Sequence, residues 1–350
     1  MKKKNIFGKD YYELTGCIHN HSEYSYDGSI SLARIIREAK LRELDYITIN
    51  DHMTLEARND SAVQKEKDML VIVGTEINDT QKNHHFLVFN SDVILKGKEV
   101  EEYTEFYANS DAVCFAAHPI EKRICAKFRK FEWEKKEIDN FDGIEIWNYL
   151  SEWIGKMKPK FNGLFLVVFP SLFICKPDRA TLDWWDELNR SGKRRSAIGS
   201  VDAHTERMEK LGIKFKFLRH RTLYKAIRTN VLLDSELEVN EPNILNALKK
   251  GNSYIVNNKV GNPYNFYAGI SSQENGKAIF GDEIKFTEDM KFYYRLPDMA
   301  KVTLYRDGYN ISSQRHEMGF FEIEKPGNYR LEITRWGRGW IYTNNIYVIE

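Results

Sequence analysis

From residue 14 to about 205 the chain repeats one texture: a short apolar run, a metal-ligand type of residue at or just past its end, then an amphipathic stretch. Tyr46-Ile47-Thr48-Ile49 runs into Asp51-His52, and Val71-Ile72-Val73-Gly74 into Glu76. Ala112-Val113-Cys114-Phe115-Ala116-Ala117 meets His118, and Arg195-Ser196-Ala197-Ile198-Gly199-Ser200 meets Asp202-Ala203-His204. His85-Phe86-Leu87-Val88-Phe89 and Gly143-Ile144-Glu145-Ile146-Trp147 have the same apolar build. Leu32, Ile35, Ile36 and Ala39 keep helical spacing between such runs. Buried strands alternating with helices predict a parallel sheet wrapped by helices. In a β/α barrel the ends of the strands share one rim, which is where active sites assemble.

After about residue 260 the texture changes to short stretches rich in β-branched and aromatic residues, such as Lys301-Val302-Thr303-Leu304-Tyr305-Arg306 and Ile346-Tyr347-Val348-Ile349. Turn signals at Asp307-Gly308 and Pro326-Gly327-Asn328 separate them, as in a small β-sandwich. The expected division is therefore an α/β domain over residues 1–257 and an all-β domain over 258–350.

A formal net charge of +1 gives no reason to expect a dedicated nucleic-acid or anionic-membrane surface, though local patches remain open. Cys17, Cys114, Cys125 and Cys175 form no C-x-x-C pair and no dense framework, so neither a zinc ribbon nor a disulfide scaffold is indicated. The basic N-terminus has no apolar stretch behind it, which predicts cytoplasmic residence. The longest apolar run, Leu164 to Cys175, is too short to span a bilayer and is interrupted by Pro170. It reads as a buried or lid segment, or as an exposed wall for a substrate or an interface.

On a strand, residues i and i+2 share a face, so His19 and His21 can present two imidazoles to one ion. Ser22, Ser25, Asp27 and Gly28 follow, which places a carboxylate on the loop above that strand. His-x-His alone is a weak signal; in the company of Asp51-His52, Glu76, His84-His85, His118 and Asp202-x-His204 it resembles the PHP (polymerase and histidinol phosphatase) metallohydrolases over residues 14 to 255. Asn50 stands where that family usually has Thr or Ser. The resemblance implies a distorted seven-stranded (β/α)7 barrel with two to three divalent ions, Zn, Mn or Fe, at its rim. The first ion would take His19, His21, Glu76 and Asp202, the second Glu76, His85 and His118, and the third Asp27, His52 and His204. Glu76 would bridge two ions, a task for a carboxylate, since one imidazole nitrogen cannot serve two metals. Of the histidine pair, His85 is chosen because it stands directly before the apolar strand and His84 would face the other way.

Asp51 and Glu145 are expected to orient ligands rather than coordinate. Arg123, shortly after His118-Pro119, reads either as a solvated surface arginine or as a cation that stabilises developing charge. His220 and His316 stand outside the pattern and read as ordinary core or surface residues. With Glu76, Asp27, His204 and Arg123 as catalytic candidates, the expected activity is a phosphoesterase using metal-activated hydroxide on a small, phosphorylated ester. Carboxyl-ester, carbamate or amide cleavage, and a non-catalytic binding module, are the alternatives. The C-terminal Pro326-Gly327-Asn328-Tyr329-Arg330 and Gly339-Trp340-Ile341-Tyr342 resemble the stand-alone CehA/McbA-type members, in which an Ig-like sandwich follows the barrel.

Overall fold

The computed structural model describes residues 2–158, 162–169, 172–210 and 213–350. Pro170, expected to interrupt the apolar run, lies outside them. Contacts gather into two units that interleave along the chain: a site unit of Thr15–Ile174 with Gly199–Arg228, and a β-rich unit of Met1–Leu14, Cys175–Ile198 and Thr229–Glu350. The expected boundary at 257/258 falls inside the β-rich unit.

In chain order the first strands are β1 (Lys2–Ile6), β2 (Lys9–Asn20), β3 (Tyr46–Ile49), β4 (Leu70–Val73), β5 (Thr75–Ile77), β6 (Phe86–Phe89), β7 (Val113–Ala116), β8 (Gly143–Asn148) and β9 (Ser196–Ala203). Among them run α1 (Leu32–Lys40), α2 (Ser61–Lys65), α3 (Val100–Ala108), α4 (Tyr149–Gly155), α5 (Gly163–Val168) and α6 (Arg179–Arg190). In the site unit β9, β2, β3 and β4 pair in parallel, and so do β7 and β8. Strands β3, β6, β7 and β8 are buried along their whole length, which is why their sequences are continuous apolar runs. Helix α1 buries Leu32, Ile35, Ile36 and Ala39, the apolar stripe predicted from their spacing.

The β/α alternation breaks at β5 and β6, which follow β4 with no helix between them. β6 runs antiparallel to both β5 and β7, because the link from Asn78 to His85 is too short for the crossover that a parallel partner requires. The fold of this unit is therefore a mixed sheet. Gly74, at the β4–β5 junction, sits at a close approach of strands: a Cβ there would lie 2.4 Å from the Val88 carbonyl oxygen.

Past β9 come a hairpin, β10 (Glu206–Lys210) with β11 (Ile213–Phe217), and then β12 (Ile227–Asp234), β13 (Ser253–Asn257), β14 (Tyr267–Ser272), β15 (Gly276–Ala278), β16 (Glu283–Lys285), β17 (Lys291–Arg306), β18 (Tyr309–Glu322), β19 (Gly327–Arg335), β20 (Arg338–Thr343) and β21 (Ile346–Ile349). The two strands expected at 291–296 and 301–306 are one, β17, carried through Pro297 by a register shift between Arg295 and Ala300. Phe266, Phe280, Phe292, Leu331, Ile333 and Trp340 centre the core of this unit. Strand β13 pairs with β20 there, so the backbone on both sides of residue 257 serves the same core.

Candidate metal centre

The local backbone around the first histidine pair is bent rather than regular. The β2–β3 register slips between Cys17 and Asn20, His19 has a φ of 67°, and the Asn20 side-chain amide donates to the carbonyls of Cys17 and Thr48 at 3.1 and 2.9 Å. The rings of His19 and His21 end 5.0 Å apart, both fully buried. His118, directly past β7, and Asp202, near the end of β9, also have positive φ, 27° and 50°. Left-handed backbone is strained for residues with a Cβ, least so for Asp, and strain of this kind collects at functional sites.

Glu76, in β5, is the hub. Its Oε2 lies 3.1 Å from His19 Nε2, 3.3 Å from His21 Nε2 and 3.3 Å from His52 Nε2, while Oε1 lies 2.6 Å from His85 Nδ1 and 3.3 Å from His118 Nε2. Five imidazoles thus converge on one buried carboxylate. Asp202 Oδ1 is 3.6 Å from His19 Nε2 and 3.4 Å from both His21 Nε2 and His204 Nδ1. Asp27 Oδ2 is 3.1 Å from His52 Nε2 and 3.0 Å from His204 Nε2. The ring of His204 stacks on that of His21 at 4.1 Å.

Three overlapping groups place one ligand atom per residue within 4.8 Å of one another: His19, His21 and Glu76; His52, Glu76 and His85; and His21, Asp27, His52 and His204. A tetrahedral ion about 2.1 Å from each donor sets the donors roughly 3.4 Å apart. Most of the distances above fall close to that edge. The Nε2 atoms of His19 and His21 are buried and have no hydrogen-bond partner although carboxylate oxygens surround them. Buried nitrogens aimed at a common point without bonding one another fit a divalent cation.

Supporting contacts fix these rings. Glu145 Oε1 lies 2.8 Å from His19 Nδ1, leaving Nε2 to face the cluster, and its Oε2 accepts the His118 backbone N–H at 2.8 Å. Asn148 donates to Glu145 Oε2 at 2.9 Å and to Asp202 Oδ2 at 3.3 Å. Ser25 donates to Asp27 Oδ1 at 2.6 Å. The loop holding Asp27 folds back on itself at Gly28, where a Cβ would fall 1.7 Å from the Ser22 carbonyl oxygen.

The electrostatics show how strongly the groups depend on each other. Burial works against a charged His19, yet Asp202, Glu76 and Glu145 outweigh it and hold the ring well above its ordinary pKa. The same contest, with Asp202, Glu76 and Asp27 as the opposing charges, lifts His21 to about 10, and Glu76 and Glu121 lift His118 to about 9. His52 is lowered because burial prevails. Against burial, the surrounding imidazoles hold the carboxyls of Glu76, Asp202 and Asp27 far below the usual range. The carboxylates are ionised, and positive charge must sit among them as protons or as metal.

All nine expected ligand residues, His19, His21, Asp27, His52, Glu76, His85, His118, Asp202 and His204, are gathered within the site unit. His84 turns elsewhere: Nδ1 meets Asp79 Oδ2 at 2.6 Å and Nε2 accepts from the backbone N–H groups of Glu134 and Lys135. Asp51 accepts from the backbone and hydroxyl of Ser22, so it braces the loop and not a histidine ring. Arg123 is no solvated arginine. Its side chain is buried, paired with Glu121 at 2.6 Å, and it donates to the carbonyls of Lys122, Arg129 and Ser151. His220 is a buried core residue whose Nδ1 meets Thr205 Oγ1 at 2.8 Å; burial lowers its pKa to about 3. His316 is exposed on β18.

A cavity of about 170 Å³ opens over Asp27, His52, Glu76, His85, His118, Asp202 and His204, with Tyr26, Glu121, Arg123, Phe131, Leu150, Ser151 and Ile154 as its other walls. Tyr26 stacks on His52 at 4.7 Å and Phe131 lies against His85 at 4.8 Å. Sequence reasoning missed Glu121, Tyr26 and Phe131. A carboxylate three residues past His118 was the one signal available for Glu121; the two aromatics carried none.

Residues 18–153 match the PHP domain family, a stretch under half of the chain that takes in His19 through Glu145 and stops short of Asp202 and His204. No curated protein matches the chain. Among solved structures, one from Bifidobacterium adolescentis, provisionally named a metal-dependent phosphoesterase, is 14% identical, covers 54% of this chain and 87% of its own, and has a TM-score of 0.33. A likeness that low carries no argument.

Proposed function

We propose that the chain is a metal-dependent hydrolase, and specifically a phosphoesterase, of the PHP type. The carrying observation is the convergence of five imidazoles on the two oxygens of Glu76. The PHP match over 18–153 supports the same reading. His19, His21, Glu76 and Asp202 would hold one ion, Glu76, His85 and His118 a second, and Asp27, His52 and His204 a third. His52, as close to Glu76 as to Asp27, would stand between the last two sets. Divalent ions so held supply Lewis acidity toward an ester oxygen and lower the pKa of water.

The protein's own groups do the rest. Glu145 and Asn148 keep His19 and Asp202 in register. Asp27 and His204 are the least buried of the set, and their facing Oδ2 and Nε2, 3.0 Å apart, would hold the third ion where reactants enter. Arg123 lines the cavity with its charge offset by Glu121, so it shapes the wall and adds little net attraction for a phosphoryl group. Leu150, Ile154 and Phe131 form an apolar wall, which favours cleavage of a carboxyl ester or carbamate as the second reading. We further read the subgroup as CehA/McbA-like and the β-rich C-terminal stretch as an Ig-like sandwich.

The test compares a phosphomonoester, a phosphodiester and a naphthyl ester after chelation and restoration of Mn, Zn or Fe. Turnover of a phosphoester is expected. Preference for the naphthyl ester selects the second reading; no turnover together with less than one ion per chain rejects both.

A further inference from the structure

We propose that the site unit docks on an anionic lipid surface through α5 and the basic loop over residues 122–130. Along and just past α5, Phe165, Val168, Phe169 and Leu172 are 49%, 57%, 48% and 53% exposed. Phe165 and Val168 lie on α5, the Phe169 N–H closes its last turn onto the Phe165 carbonyl at 2.8 Å, the Phe165 and Phe169 rings lie 5.0 Å apart, and the Leu172 N–H donates to the Phe169 carbonyl at 3.1 Å. On a water-facing protein large apolar side chains on and beside a helix point inward; here these four point outward. The opposite side is already used: Leu166 is fully buried, and its carbonyl accepts the Trp153 indole N–H from α4 at 3.2 Å. Large apolar side chains exposed side by side mark a binding surface.

Charge identifies the occupant. The stretch 122–131 holds five cations, Lys122, Arg123, Lys127, Arg129 and Lys130, and no carboxylate, in a chain whose formal net charge is +1. Arg123 is taken up by Glu121 and Lys130 lies 3.6 Å from Glu132, while Lys127 and Arg129 are exposed without a carboxylate partner among the described residues. Ile124, in the same loop, is 56% exposed, and its N–H donates to the Gly155 carbonyl at the end of α4. Both the basic loop and the exposed apolar segment are thus tied to α4. A short apolar insert bordered by cations is the composition of a segment lying in the interface of an anionic membrane. Among the described residues no helix is long and apolar enough to cross one. Helix α4 also supplies Leu150 and Ile154 to the cavity wall.

Co-sedimentation of the full chain with vesicles of phosphatidylcholine alone, or with a quarter phosphatidylglycerol, tests the proposal without turnover and so stands apart from the hydrolase reading. Binding to the anionic vesicles only, weakening as salt rises, is expected. Phe165→Ser/Phe169→Ser should cut the bound fraction about tenfold or more, and Lys127→Glu by a smaller factor. Both variants should keep wild-type metal content, because none of these residues touches the centre. Absence of binding to anionic vesicles by the folded wild type overturns the proposal. So does a concentration-dependent dimer that the same double variant abolishes, which would give the face to a second copy of the chain.

Discussion

In the β-rich unit the buried Arg330 guanidinium gives Nε to Asp186 Oδ1 at 2.9 Å, one terminal nitrogen to Asp186 Oδ2 at 2.8 Å and the other to Glu332 at 2.7 Å. In the site unit Glu76 is hydrogen-bonded to His85 Nδ1 and His118 Nε2, whereas the Nε2 atoms of His19 and His21, 3.1 to 3.6 Å from oxygens of Glu76 and Asp202, are buried with no hydrogen-bond partner. Both clusters bury ionised groups, and only the Arg330 cluster gives every guanidinium nitrogen a carboxylate partner. A buried network whose donors match its acceptors specifies a packing arrangement. One with surplus acceptors and orphaned nitrogens leaves room for something from outside. Buried charge is therefore a poor sign of function until its donors and acceptors have been matched one by one.

The contrast can be broken by mutation. Glu76→Ala should lower kcat/KM on the order of 10³-fold or more and bring metal content below one ion per chain, read by elemental analysis beside steady-state kinetics. Retention of both would remove Glu76 from the hub. Arg330→Met should lower unfolding free energy by about 3 kcal/mol, since it takes the buried guanidinium from Asp186 and leaves that buried carboxylate only the more exposed Arg179, while metal content stays at wild-type level. Denaturant unfolding gives the first value, and a loss of metal there would mean that the two networks are not independent. Glu145→Gln, which keeps the shape and drops the charge behind His19, should weaken metal binding about 10–100-fold. His84→Ala, by contrast, should leave the metal in place, as competition with a chromogenic chelator can show for both.

The pH dependence sharpens the same difference. In the metal-free protein His21 and His118 are held near 10 and 9, and the carboxyls of Glu76 and Asp202 far below their ordinary range. Raised histidines stabilise the fold fully below their unfolded value of about 6.5 and lose that contribution as pH climbs through 9 to 10. Depressed carboxyls contribute above about 4 and lose it as pH falls. Buried His220, held down at about 3, and His52, also lowered, take stability away as pH falls below about 6.5, so the melting temperature of chelated protein should be highest near pH 6.5 and fall toward pH 10. Metal affinity should rise over that alkaline range, because the ions displace the same protons. A chelated protein that gains stability between pH 7 and 10 would contradict the protonated cluster.

Much of the centre was legible because side-chain type and strand position are both written in the chain: an apolar run followed by Glu76 or His118 needs no tertiary knowledge to suggest a rim. His85 could be separated from His84 by the alternation of strand faces, and the structure gives His84 a separate partner in Asp79. Properties that arise only when distant segments meet were hidden. Arg123 looked solvated because nothing local reveals that Glu121 and the Ser151 carbonyl receive it. The reversal of β6 depends on a loop too short for a crossover. β18 went unseen because Ser312, Ser313, Gln314, Arg315 and His316 have weak strand propensity and are held by pairing with β17. The interleaved units could not be read at all, since the chain's texture changes near 260 while its contacts are divided otherwise.

The left-handed backbone at His19 and His118 has a consequence for how this protein can be improved or lost. An L-residue other than Asn, Asp or Gly costs about 1–2 kcal/mol in that conformation, so at both positions a proposed ligand sits where a poorer ligand would be more comfortable. A laboratory selection for thermal resistance alone should drift toward Asn or Gly there, gaining stability and shedding metal together. Consensus design on this scaffold would then yield hardy, silent proteins unless those two histidines are fixed in advance.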